Sequence, residues 1–220
     1  MASYPEISDE FALVLLGGEI GEDAVVERLF ASASLIICAD SGAEHALKLG
    51  CNVEAIVGDL DSISNKTLEY YRSRGSEILQ ISEQESNDFE KALRYLSERY
   101  TGNVKVIGIS GNRTDHMLTN FSVMLRYTDR FRSLMAYDGS AEHRFLTSER
   151  NSCEIASAPG TIISLTPFGE ADGIHTEHLE YPLSSEDLRL GVREGLSNSV
   201  IRSPAFISIE RGALLVSVLI

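Results

Sequence analysis

A chain of 220 residues, 43% hydrophobic and 24% charged, can build one or two globular domains and is too mixed in composition for a disordered or fibrous class. Nineteen Lys and Arg against thirty-three Asp and Glu leave a formal charge of −14, which repels phosphate backbones and anionic lipid and so argues against nucleic-acid or membrane-surface partners. A polyphosphate substrate would need a divalent cation to mediate its contact with such a surface.

From residue 11 to about 138, short β-branched runs alternate with helical patterns. Strands are expected at 11–16, 35–39, 55–57, 77–81, 104–109 and 134–137. Ser41 and Glu44 have capping-box spacing and Gly50 closes that helix; Asn87 and Glu90 repeat the spacing ahead of an apolar stripe of Phe89, Leu93 and Leu96. The fifth helix carries Met117, Leu118, Phe121, Met124 and Leu125 on one face. Repeated strand–helix units imply a parallel, Rossmann-like sheet with right-handed crossovers and helices on both faces. After about residue 140 the rhythm changes to short strands at 142–147, 152–156, 161–167, 174–180, 206–210 and 214–220, with a helix possible over 184–195 and a hairpin turn at Glu210-Arg211-Gly212. Two domains follow: an α/β domain over 1–140 and a smaller antiparallel β-sandwich domain over 141–220.

Ligands of open parallel sheets bind beyond the carboxyl ends of the strands. Successive strands end in Gly17-Gly18-Glu19, Asp40-Ser41-Gly42-Ala43, Gly58-Asp59-Leu60-Asp61-Ser62, Glu83-Gln84-Glu85-Ser86-Asn87-Asp88 and Ser110-Gly111-Asn112-Arg113-Thr114-Asp115-His116. In an extended segment Asp59 and Asp61 project to one side. With Asp40, Asp88 and Asp115 they form an all-oxygen donor set suited to Mg²⁺, which bridges substrate phosphates. Asp at a strand end also serves as a turn former or helix cap, and that alternative applies to each junction singly. As first residue of a helix capped by Asn87, Asp88 sits at the positive end of the helix dipole. Arg113, between Gly111 and a helix start, suits a phosphate through its guanidinium fork. His116 reads as a polar helix-start residue, and the remaining histidines lack zinc spacing with the cysteines.

No G-x-x-x-x-G-K-[ST], G-x-G-x-x-G or G-x-S-x-G pattern occurs, which argues against P-loop, dinucleotide-binding and serine-hydrolase chemistry. The longest apolar runs fall short of the ~20 residues a bilayer requires. The opening residues lack a secretory pattern, and Cys38, Cys51 and Cys153 form no C-x-x-C pair, so a reducing cytoplasm is expected.

Taken in order, Ala39–Ala43, Gly58–Ser62, Gln84 with the 87–93 run Asn-Asp-Phe-Glu-Lys-Ala-Leu, Gly111–His116, Tyr181-Pro182-Leu183, Ser197-Asn198 and Gly212–Val216 resemble the thiamine pyrophosphokinase (thiamine diphosphokinase) family over nearly the whole chain. The resemblance implies transfer of the pyrophosphoryl group of ATP to the hydroxyl of thiamine, releasing AMP, in a homodimer with thiamine at the subunit interface. It implies Mg²⁺ on Asp40, Asp59, Asp61 and Asp88, and nucleotide contacts from Asp40, Ser41, Gly42, Gly111 and Arg113. Gln84, Tyr181, Ser197 and Asn198 would contact the vitamin, with Asp115 serving the phosphates or taking the hydroxyl proton. A Mg-dependent diphosphokinase for another heteroaromatic alcohol, or a non-catalytic nucleotide- or thiamine-binding protein, are the alternatives. Three positions depart from the family: Asn87 for Thr, Asn112 for Gly, and Tyr181 where some members carry Trp.

Overall fold

The computed structural model describes residues 10–21 and 23–220. In the first compact unit, which closes at Gly139, β1 (Phe11–Leu15), α1 (Ala24–Ser32), β2 (Leu35–Ala39), α2 (Gly42–Lys48), β3 (Ala55–Gly58), α3 (Asn65–Ser73), β4 (Glu77–Gln80), α4 (Asp88–Ser97), β5 (Asn103–Ile107), α5 (Thr114–Tyr127) and β6 (Ser133–Tyr137) alternate along the chain. The strands pair in parallel in the order β4-β3-β2-β1-β5-β6. Chain order reverses between β1 and β5, the switch point at which such sheets open a ligand crevice.

Leu13, Leu15, Cys38 and Ile56 pack on one face with residues of α1, α2 and α3, while Ala12, Val14, Ile37 and Val57 of the same strands are equally buried. On that second face α4 packs against β2 and β3. Burial on both faces explains the near-continuous apolar strands, each large side chain contributing roughly 1.5–3 kcal/mol.

Helix ends follow the sequence in part. Asn87 accepts from the Glu90 amide at 2.9 Å, so Asp88 is the first residue of α4. Ser41 makes no capping bond. Its backbone is already helical, and its hydroxyl lies against Gly17, where a Cβ would stand 2.1 Å away. Glu44 instead accepts from Ser64 N and Thr67 Oγ1, both at 2.8 Å, clamping α3 to α2. On α5 the buried residues are Phe121, Val123 and Met124; Leu118, one turn before Phe121, is 56% exposed.

The second unit, Ser140–Ile220, comprises β7 (Ala141–Thr147), β8 (Ser152–Ile155), β9 (Ile162–Glu177), β10 (Ser184–Arg189), β11 (Gly195–Ser199), β12 (Ala205–Ser208) and β13 (Arg211–Leu219), all antiparallel where they pair. The two strands expected at 161–167 and 174–180 are one continuous β9, because Gly169 and Gly173 adopt positive φ within the strand rather than ending it. β9 carries β13 and β12 along one side and β11 and β10 along the other, around a core that includes Ile163, Leu165, Ile174 and Ile207. Residues 184–195 are not helical: β10 buries only Leu188, which offers no apolar stripe for a helix, and its backbone bonds to β9. The turn at 210–212 joins no hairpin either, since β12 pairs with β8 and β9 while β13 pairs with β7 and β9.

Candidate active site

The end of β2, the segments that follow β1, β2, β3 and β5, and the start of α4 line one cavity of about 580 Å³. Gly17, Gly18 and Glu19 follow β1, Asp40 and Ser41 follow β2, Ser62 follows β3, Asn87 and Asp88 open α4, and Gly111, Asn112, Arg113 and His116 follow β5. The glycine turn after β1 is not a free anion cradle. Its Gly18 and Glu19 amides donate to Gly108 O at 3.1 Å and Ser110 O at 2.8 Å, stitching the β1 and β5 loops together. Gly42 is fixed by packing: a Cβ there would stand 2.2 Å from the Leu15 carbonyl oxygen, so only glycine lets α2 approach β1 so closely.

Carboxylate oxygens of Asp40, Asp59 and Asp88 all lie within 4.8 Å of one another. Gly58 makes room for them, since a Cβ would sit 3.0 Å from Asp40 Cβ and 3.1 Å from Asp88 Oδ1. The Asp59 amide donates to Asp88 Oδ1 at 3.2 Å, and Lys91 Nζ donates to the same oxygen at 3.1 Å. Asp40 is only 4% exposed, and its Oδ1 has no hydrogen-bond partner. Burial pushes its carboxyl up to about 6, against stabilisation by the Ser41 amide, and the charges of Asp88, Asp59 and Asp61 push in the same direction as burial. An orphaned buried carboxylate oxygen beside two further carboxylates is a donor set that fits a hard divalent cation.

The Asp59–Asp61 segment is not extended, because Leu60 has φ +66°, an uncommon backbone for a leucine. Asp59 therefore joins the group while Asp61 stands outside it, exposed, accepting from Ser62 Oγ at 2.8 Å. Asp61 is still near enough for its charge to act on Asp40.

Arg113 binds Asp115 with both ends of its fork, Nε to Oδ1 at 2.9 Å and a terminal nitrogen to Oδ2 at 2.5 Å. This pair holds the Asp115 carboxyl well below the usual range, which makes it a weak proton acceptor. Gln84 is exposed and its side chain bonds only locally, to Ser82 O. Its loop is held by Glu83, whose carboxyl is lowered to about 2 by the Ser86 hydroxyl and Arg94.

In the second unit Tyr181 presents a ring that is 65% exposed. Asn198 is buried and its amide group is committed to the Tyr181 backbone in the bend between β9 and β10: Oδ1 accepts from Tyr181 N at 3.0 Å and Nδ2 donates to Tyr181 O at 2.7 Å. Ser197 is exposed with φ +56° and donates its amide to Ser164 Oγ.

Several site residues escape the sequence reading. His45 lines the cavity and contacts Gly18 O at 2.9 Å through Nε2, and Asn120 joins α5 to Ile109 O at 3.0 Å and to Asn87 at 3.1 Å. Both stand one helical turn beyond a residue already assigned, Ser41 and His116, and that spacing was the available signal. Lys91, three residues after Asp88, is the third.

The description "Thiamin pyrophosphokinase, catalytic domain" matches residues 26–138, and "Thiamin pyrophosphokinase, vitamin B1 binding domain" matches 143–214. The chain belongs to the thiamine pyrophosphokinase family. Thiamine pyrophosphokinase 1 of Oryza sativa subsp. japonica is 27% identical over 89% of this chain and 82% of that protein. Thiamine pyrophosphokinase of Bacillus subtilis is 25% identical over 83% of this chain and 86% of its own length. In fold, the chain is similar to the thiamine pyrophosphokinase structure from Bacillus subtilis (TM-score 0.82, 21% identity, 96% of this chain and 99% of that one). The Candida albicans structure is similarly close (TM-score 0.81, 17% identity, 96% and 90%). Members of this family are enzymes by name, and the parallel α/β half followed by an antiparallel β half is the arrangement these structures share.

Proposed function

We propose that this protein transfers the pyrophosphoryl group of ATP to the primary hydroxyl of thiamine, giving thiamine diphosphate and AMP. The observation that carries the reading is the meeting of Asp59 with Asp40 and Asp88, two residues that line the cavity at the sheet's switch point, in a chain matched by the models of both family domains.

Asp40, Asp59 and Asp88 would hold Mg²⁺ with Asp61 beside them, and the bound ion supplies charge neutralisation for the triphosphate. The chain's own residues do the rest by positioning. Arg113, which lines the cavity, brings its positive charge and the guanidinium nitrogen not bound to Asp115 to phosphate oxygens there. Ser41 and Gly111 line the walls against the nucleotide, Gly42 lets α2 bring Ser41 close to β1, and the β1–β5 stitch keeps these walls in register. Attack in line on the β-phosphorus by the alcohol, with AMP leaving opposite, asks mainly for alignment of this kind.

On the vitamin side, Tyr181 provides an aromatic face for a cationic ring, Asn198 holds that tyrosine in place, and Gln84 and Ser197 add polar contacts. The protein works as a homodimer with thiamine at the subunit interface. Leu190, Val192, Leu196 and Ile201, each more than half exposed on the second unit, support an apolar contact between subunits. No helix among the described residues is long and apolar enough to cross a membrane, and the three free cysteines suit the reducing cytoplasm we assign to it.

Product analysis tests the reading: ATP, Mg²⁺ and thiamine should yield AMP and thiamine diphosphate in equal amounts. ADP with thiamine monophosphate would overturn it.

A further inference from the structure

Lys91 is among the most deeply buried side chains of the first unit, at 2% exposed, yet it carries an ammonium in the first turn of α4. Both facts oppose a cation there: burial removes its hydration, and the helix N-terminus repels positive charge. Its Nζ lies 3.1 Å from Asp88 Oδ1, the oxygen that also receives the Asp59 amide. It does not line the cavity, so it does not reach into the space a substrate would fill.

We propose that Lys91 is a built-in counter-charge that sets how strongly the Asp40–Asp59–Asp88 group attracts a divalent cation. Three carboxylates and one ammonium leave two negative charges, a match for one such ion; without the ammonium the group carries three. Lys91 thereby keeps the carboxylates together before an ion arrives and keeps the ion exchangeable afterwards. It is a positioning residue acting through Asp88. The inference rests on reading the aspartates as a cation site, and it is tested without turnover.

Mn²⁺ alone is titrated into nucleotide-free, full-length protein and the free ion counted by electron paramagnetic resonance, for wild type, Lys91→Met and Lys91→Gln. Methionine keeps the volume and removes charge and donor, while glutamine keeps a donor and removes only charge. Both variants should bind Mn²⁺ about tenfold more tightly at low ionic strength, by the Coulomb term of one lost cation. Their melting temperatures should fall in chelator and recover with Mn²⁺.

Unchanged or weaker Mn²⁺ binding in a folded variant would overturn the proposal, as would a loss of folding that Mn²⁺ does not restore. A wild type that makes AMP and thiamine diphosphate while the variants bind Mn²⁺ normally would refute the counter-charge alone. Tighter binding in the variants without any AMP from wild type would refute the enzymatic reading alone.

Discussion

The amide of Asp59 donates to the carboxylate of Asp88 at 3.2 Å, tying the loop after β3 to the first residue of α4 across 29 positions of sequence. One aspartate thus orients another, and the pair stays beside buried Asp40 although all three repel.

Neutralising a member of this group separates function from stability. Asp59→Asn should lower kcat at least about 10²-fold, the scale of losing one preorganised electrostatic element, while raising the melting temperature in chelator. Asp61→Asn should also lose activity but raise the melting temperature less than Asp59→Asn does, because Asp61 is exposed and outside the group and acts on Asp40 only through its charge. Steady-state kinetics and a thermal melt in EDTA check both.

The carboxyl of Asp40, at about 6 in the fold against an ordinary 3.8, gives a pH dependence of fixed sign. The folded state binds a proton the unfolded chain has released, so this group's contribution is most favourable below about 4 and is lost as pH rises through about 6. Metal-free protein should melt higher at pH 5 than at pH 7, and Asp40→Asn should flatten that difference. Added Mg²⁺ competes with the proton, so its stabilising effect should be larger at pH 7.5 than at pH 5. Melts across pH with and without Mg²⁺ check the sign.

Arg113→Ala should raise the KM for ATP about tenfold or more without a measurable change in melting temperature, because its pair with Asp115 is solvent-exposed. A melting shift as large as that of a core substitution would assign Arg113 to the scaffold instead.

Tyr181 and Asn198 should divide their effects. Tyr181→Ala should raise the KM for thiamine well above any change for ATP and leave stability intact, since the ring is 65% exposed. Asn198→Ala should cost roughly 1–3 kcal/mol by leaving the Tyr181 backbone groups unpaired. Chemical denaturation of both variants beside their kinetics would show the split.

The central strands β1, β2 and β3 were legible because each is a short apolar run that stops at Gly or Asp, and burial on both faces demands that composition. Asp40 and Asp88 were legible for a second reason: strand ends of an open sheet share a rim. Leu60 was not. Its backbone turns left-handed where alternation predicts extension, and nothing in its chemistry announces that. Lys91 was hidden for a different reason: its partner Asp88 stands three residues earlier on the same helix, and a lysine at that spacing carries no sign in the sequence that it is buried. In the second unit, Gly169 and Gly173 looked like strand ends, and the partners of β12 and β13 were set by the course of β9 rather than by the turn between them.

That course has a consequence for synthesis on the ribosome. β13 lies between β7 and β9, so the strand formed first in this unit waits for the one made last. Until residue 219 has emerged, β7 lacks its antiparallel partner within this unit, and the edge of β9 that β13 covers stays open to other chains. Arrest of translation before residue 211 should release a nascent chain whose first unit resists protease and whose second does not.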